Sequence, residues 1–335
     1  MINVGVIGVG YWGPNIIRNF DGFEGANMMM CSDLRPERLA FIRKKFPTIQ
    51  TTPDYSEIIH SSSIDAVAIC TPVFTHYEIA KAALMAGKHV LLEKPMTSTS
   101  AQAEELVELA EKKKVTLMLD HTFIYTGAVR LIKKYLDAGE IGDIYYFDSV
   151  RINLGLFQHD VNVIWDLAPH DIAIMDFLLN RKPEAVVATG SDHVGQGLED
   201  VAYLTVYFPD NLIAHIHVNW LSPVKLRQTI IAGSKKMIVW DDNLPQDKIK
   251  IYDAGITVNR SKDEIYDTLI QYRTGDMFAP KVPLTEALSA EVTHFAECIE
   301  KGVKPLTNGQ AGVTMVRILE ASEKSIKARG KEIKL

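Results

Sequence analysis

Along the first third of the chain, short apolar runs alternate with longer stretches whose apolar residues recur at helical spacing. The runs at 2–8, 27–31, 64–71, 89–92 and 115–120 are too short for helices and read as buried strands. Helices fill the intervals. Gly13-Pro14 opens one, with proline in the first turn, where its missing N–H costs nothing. Thr75 with Glu78 reads as a capping box for a helix that runs through Ala80, Ala83 and Leu84 and stops at Gly87. Thr99 with Gln102 reads as a second box, for a helix over about 100–113. This alternation predicts an α/β domain over 1–122 with a Rossmann-type, doubly wound parallel sheet.

After about residue 122 the rhythm changes. A helix near 126–138 ends at Gly139, and strand-like segments then follow one another at 144–153, 184–190, 201–208, 212–220, 226–232 and 236–240. A helix around 166–179 interrupts them, and two more close the chain at about 285–301 and 309–328. Turn signals at Pro209-Asp210-Asn211 and Gly233-Ser234 favour an open, mainly antiparallel sheet. Residues 123–335 are therefore expected to form an α+β substrate-binding and oligomerisation domain, its last helices free to pack back on the first. One sheet face left uncovered predicts a homodimer or homotetramer.

Composition narrows the class. The 335 residues carry a formal net charge of −6, with basic residues scattered, which speaks against nucleic acid as a partner. No apolar run reaches the length of a membrane span, and the first strand begins at Ile2, so a cytoplasmic protein is expected. The three cysteines, Cys31, Cys70 and Cys298, have no C-x-x-C spacing, and no metal-ligand set is visible.

The chemistry gathers in three segments. Gly8-x-Gly10-x-x-Gly13 follows a strand and opens a helix, the pattern that cradles a dinucleotide pyrophosphate. Tyr11 and Trp12 lie inside that turn. Asp33, at the end of the next strand, suits both adenosine ribose hydroxyls and repels a 2′-phosphate, which favours NAD over NADP; Arg35 and Arg38 weaken the preference. Thr71 and Pro72 end another strand on the side where ligands bind. His76, just beyond, is either a surface histidine or a group packed near the nicotinamide. Glu93-Lys94-Pro95 places a lysine at a strand end, where it could donate to a substrate oxygen. In Trp165-Asp166-Leu167-Ala168-Pro169-His170-Asp171, Asp166 and His170 stand i, i+4, so one helix face presents both. That helix is expected to begin within residues 163–168, with Pro169 in its first turn, and Asp171 is expected as a buried polar partner.

Together these residues resemble the Gfo/Idh/MocA oxidoreductase family, the glucose–fructose oxidoreductase and inositol dehydrogenase group, over essentially the whole chain. The resemblance implies a catalytic Lys94 with Asp166 and His170. The cofactor-binding residues expected are Gly8, Gly10, Tyr11, Trp12, Gly13, Asp33, Thr71, Pro72, His76, Glu93 and Lys94. Asp120-His121 departs from the pattern, since relatives often have a small residue first. Gly10-Tyr11-Trp12-Gly13-Pro14-Asn15 and His294-Phe295-Ala296-Glu297-Cys298-Ile299 are similar to the bacterial branch acting on nucleotide-linked amino sugars, the UDP-N-acetyl amino sugar 3-dehydrogenases. The residues themselves point to a polyol-like alcohol or its ketone. A free cyclitol or monosaccharide dehydrogenase, and a dinucleotide-binding regulator without catalysis, are the alternatives.

Overall fold

A computed structural model describes residues 1–155, 161–258 and 270–335. The chain divides into two compact units, one of residues 1–126 and 285–320, the other of 127–284 and 321–335.

In the first unit the elements run β1 (Ile2–Ile7), α1 (Gly13–Asp21), β2 (Ala26–Ser32), α2 (Pro36–Lys45), β3 (Gln50–Thr52) and α3 (Tyr55–His60). They continue with β4 (Ala66–Ile69), α4 (Val73–Met85), β5 (His89–Glu93), α5 (Ser100–Lys113) and β6 (Leu117–Asp120). The six strands are parallel in the order β3-β2-β1-β4-β5-β6. The order reverses between β1 and β4, and the crevice beyond the carboxyl ends of strands at such a point is where this fold takes its ligands. Val4, Val6, Val67, Ala68, Leu92 and Leu119 are fully buried, which explains why these strands read as continuous apolar runs.

The second unit holds α6 (Gly127–Asp137), β7 (Ile144–Leu154), α7 (Val163–Leu179), β8 (Ala185–Ser191), β9 (Val201–Tyr207), β10 (Ile213–Asn219) and β11 (Leu221–Gly233). Then come β12 (Met237–Asp241), β13 (Ile249–Tyr252), β14 (Gly255–Val258), β15 (Ile270–Arg273) and β16 (Met277–Phe278). Two long helices follow, α8 (Ala287–Lys301) and α9 (Gly309–Lys327), before β17 (Ile333–Lys334). Among the described residues, nine strands form one sheet ordered β16-β13-β12-β11-β7-β10-β9-β8-β17. All its pairings are antiparallel except β7 with β10. Helix α7 covers one face, over Ala214, Ile216 and Val218. The other face carries Tyr203, 43% exposed and stacked on His217 with ring centroids 4.3 Å apart.

Helix α8 and the start of α9 count with the first unit. Phe295 of α8 is fully buried, its ring edge-on to Phe20 of α1 at 6.3 Å. Ahead of α9, Thr307 brackets β6. Its carbonyl accepts from the Leu119 N–H at 2.7 Å, and its hydroxyl donates to the Leu119 carbonyl at 2.7 Å.

Three local expectations need correcting. Helix α4 starts at Val73, not behind a capping box, because the Thr75 hydroxyl donates back to the Pro72 carbonyl at 2.8 Å. At α5 the Thr99 hydroxyl does cap the Gln102 N–H at 3.3 Å, but the reciprocal bond is missing, since Gln102 Oε1 has no partner among the described residues. Pro169 lies inside α7 rather than in its first turn. Asn162 caps the helix earlier, its Oδ1 accepting from the Ile164 and Trp165 N–H groups at 3.2 Å each. Proline at 169 then removes the donor that would have met the Trp165 carbonyl.

Candidate functional site

The glycine turn is built for close approach. Gly8 has φ +91°, and a Cβ there would stand 2.7 Å from the Cys70 carbonyl oxygen. A Cβ on Gly13 would stand 2.1 Å from the Gly8 carbonyl oxygen, so only glycine lets α1 seat this close to the turn. Gly10 differs: a Cβ there would meet nothing within 4 Å except the Arg35 guanidinium, at 3.3 Å. That open space is what a pyrophosphate needs, and the residues present fit a bound dinucleotide.

Asp33 is 7% exposed in its side chain and is held from two sides. The Val9 N–H donates to Oδ2 at 2.9 Å, and Arg35 donates through its N–H, Nε and guanidinium at 3.0, 3.0 and 3.1 Å. Burial would raise this carboxyl, but the bonds from Arg35 and Val9 outweigh it and hold it below the usual range. Tyr11 is 87% exposed beside the turn.

His76 is not on the surface. It is 1% exposed, with Nε2 at 2.7 Å from the Thr71 carbonyl oxygen and Nδ1 at 2.9 Å from that of Pro95. It therefore ties the chain leaving β4 to the chain leaving β5, across the Lys94–Pro95 peptide bond, which is cis. Burial lowers its pKa, and the Lys94 charge adds to that against the pull of the carbonyls. A neutral imidazole has one N–H, so one carbonyl at a time receives a bond.

A buried network beside Lys94 was not legible in the sequence. Glu93 pairs with Asp120 across β5 and β6, which places Lys94 one residue past the pair. Asp120 Oδ2 accepts from the Trp12 indole at 2.5 Å and Oδ1 from the Thr122 hydroxyl at 2.7 Å. Glu291 of α8, fully buried, takes the His121 N–H at 2.9 Å, and its carboxyl lies close enough to that of Asp120 for each to shift the other. Two carboxyls in contact cannot both be charged in a dry site. Burial and the neighbouring Asp120 push Glu291 well up, whereas Asp120, raised by burial, has two donors and the Lys94 charge to favour its anion. Glu291 thus carries the proton. Burial, with the Lys94 charge, pushes His121 down to about 3, and neither ring nitrogen has a hydrogen-bond partner among the described residues.

In the second unit, Asp166 lies in the first turn of α7 with His170 one turn on. The Trp220 indole donates to Asp166 Oδ2 at 3.0 Å, fixing the carboxylate. Asp171 is the buried partner expected of it. It accepts from the Ser149 hydroxyl at 2.6 Å and from Arg151 Nε at 2.6 Å, and so clamps α7 to β7. No group of metal-ligand residues is present among the described residues, and no described helix is long and apolar enough to cross a membrane.

The fold and the glycine turn define a dinucleotide-binding protein. Residues 2–121 match the oxidoreductase family with NAD-binding Rossmann fold, and residues 129–239 match the GFO/IDH/MocA C-terminal domain. The chain is similar to myo-inositol 2-dehydrogenase of Thermotoga maritima, 23% identical, covering 98% of this chain and 97% of that one. Among solved structures it is similar to levoglucosan dehydrogenase in complex with NADH and levoglucosan, with a TM-score of 0.84 at 22% identity over 99% of each chain. It is also similar to the UDP-N-acetylglucosamine 3-dehydrogenase of Acidithiobacillus ferrooxidans, with a TM-score of 0.79 at 23% identity over 98% of each.

The protein belongs to the Gfo/Idh/MocA oxidoreductase family and is an NAD-binding oxidoreductase acting on CH–OH groups.

Proposed function

We propose that the protein interconverts a secondary alcohol and a ketone on a nucleotide-linked sugar, a UDP-N-acetyl amino sugar, with Lys94, Asp166 and His170 as its catalytic residues. The observation that carries the catalytic assignment is the α7 face, where Asp166 is fixed by Trp220 one turn ahead of His170. Bound nicotinamide supplies the hydride acceptor or donor. His170 takes the hydroxyl proton, Asp166 supports the imidazolium that results, and Lys94 steadies the developing oxyanion. Gly8, Gly10, Tyr11, Trp12, Gly13, Asp33, Thr71, Pro72, His76, Glu93 and Lys94 form the cofactor side, with His76 holding the Thr71 and Pro95 segments in place.

The nucleotide-linked substrate is supported by the Tyr11-Trp12 turn and the 294–299 segment, and by full-length likeness to a UDP-N-acetylglucosamine 3-dehydrogenase. A free cyclitol is the second reading, favoured by the likeness to myo-inositol 2-dehydrogenase. We place the protein in the cytoplasm, as a homodimer or homotetramer joined through the uncovered face of the nine-stranded sheet.

The test is NAD reduction with UDP-N-acetyl sugars, free sugars and inositols. Selectivity for a UDP-sugar by roughly tenfold or more in kcat/KM supports the first reading, since recognition of an added polar group gives at least that much. Turnover of inositol alone supports the second. NADH binding with no turnover of any alcohol would leave a regulator.

A further inference from the structure

The Asp33 carboxylate is full. Its two oxygens offer about four lone-pair positions, and four donors occupy them. The Arg35 N–H and Nε reach Oδ1 at 3.0 Å each, and the Val9 N–H and the Arg35 guanidinium reach Oδ2 at 2.9 and 3.1 Å. The two hydroxyls of an adenosine ribose need acceptors on this same carboxylate. They cannot have them while the guanidinium stays.

The guanidinium also lies over Gly10, 3.3 Å from the position of a Cβ there, at the glycine that a pyrophosphate approaches. Its side chain is 51% exposed, so a path into solvent is open. The two main-chain donors are fixed by the turn and by the start of α2. Only the side chain can leave.

The consequences differ for the two dinucleotides. NAD must break a bidentate ion pair and replaces it with bonds from neutral hydroxyls. NADP brings a 2′-phosphate, an anion whose oxygens match the guanidinium fork, so Arg35 exchanges one anionic partner for another. Asp33 still repels that phosphate, and NAD remains preferred, by a smaller margin than Asp33 alone would set.

We propose that Arg35 sets cofactor selectivity by competing with the adenosine ribose for Asp33, weakening NAD, and by partnering the 2′-phosphate of NADP. The proposal rests on dinucleotide binding at the glycine turn.

The experiment is equilibrium titration of the full chain with NADH and NADPH, for wild type, Arg35→Ala, Arg35→Lys, Asp33→Ala and the double variant Asp33→Ala/Arg35→Ala. Arg35→Ala should bind NADH about threefold to tenfold tighter, the scale of an exposed ion pair released. It should bind NADPH roughly tenfold or more weaker, the scale of a lost charge-assisted contact. Arg35→Lys should fall between, because an ammonium has the charge without the fork. In the Asp33→Ala background, removing Arg35 should no longer tighten NADH, since nothing is left to compete for. An Arg35→Ala variant that binds NADH more weakly, or binds both cofactors as wild type does, overturns the proposal. A wild-type protein that binds neither cofactor overturns it too, and places the failure in the underlying reading of the turn.

Discussion

Glu291 shows how much a single residue can carry without announcing itself. It comes from a helix 170 positions beyond the His121 N–H that it accepts, and nothing in its local sequence marks it as buried. Because burial and Asp120 raise its pKa, the folded protein binds a proton there that the unfolded chain releases. Stability should therefore fall as pH rises from Glu291's ordinary value of 4.5 towards its raised one. Glu291→Gln should remove that dependence. Its amide oxygen can still accept from His121, and the neutral amide keeps that position uncharged. Urea denaturation across this range should give a flatter profile for the variant than for wild type. An unchanged slope would show that the proton is not on Glu291.

At the scale of elements, α7 matters most, because it presents both Asp166 and His170. Its start depends on Asn162, which caps two N–H groups and donates to Glu199 at 2.7 Å. Asn162→Ala should cost about 1 kcal/mol, the usual value of such a cap, and lower turnover more than NADH affinity. Equal losses in both would show that the cap supports the fold alone. Much at this scale was legible in advance. The parallel sheet, the glycine turn, the Thr99 cap and the end of α4 at Gly87 each follow from signals a few residues long. What was not legible depended on distant partners. His76 reads as a surface histidine until the Thr71 and Pro95 carbonyls close over it, and Thr75 reads as a cap until its hydroxyl turns back to Pro72. The start of α7 at Val163 falls within the expected 163–168, but the Asn162 cap puts Pro169 beyond the first turn. The Trp220 bond to Asp166 spans 54 positions, beyond any periodicity.

For the whole molecule, the nine-stranded sheet leaves Tyr145, Tyr146, Tyr203 and Tyr207 at least 36% exposed. Exposed aromatic surface of this kind is common at subunit contacts. Light scattering at micromolar concentration should give a dimer or tetramer, and Tyr203→Glu should shift it towards monomer. A wild-type monomer would rule out that contact.

In the proposed mechanism Lys94, Asp166 and His170 perform the chemistry while the glycine turn holds the cofactor. That mechanism is tested most directly by measuring turnover and NADH affinity side by side in Lys94→Ala, Asp166→Asn and His170→Ala. Histidine titrates near neutrality with little adjustment, which suits it to the role of general base. Turnover should fall by roughly a hundredfold or more for Lys94→Ala and His170→Ala, and by less for Asp166→Asn, with NADH binding nearly unchanged in all three. The ascending limb of the pH–rate profile should disappear or move in the His170 variant. Near-normal turnover in His170→Ala, with the profile unaltered, would contradict the assignment of His170 as the base and make Lys94 the first suspect.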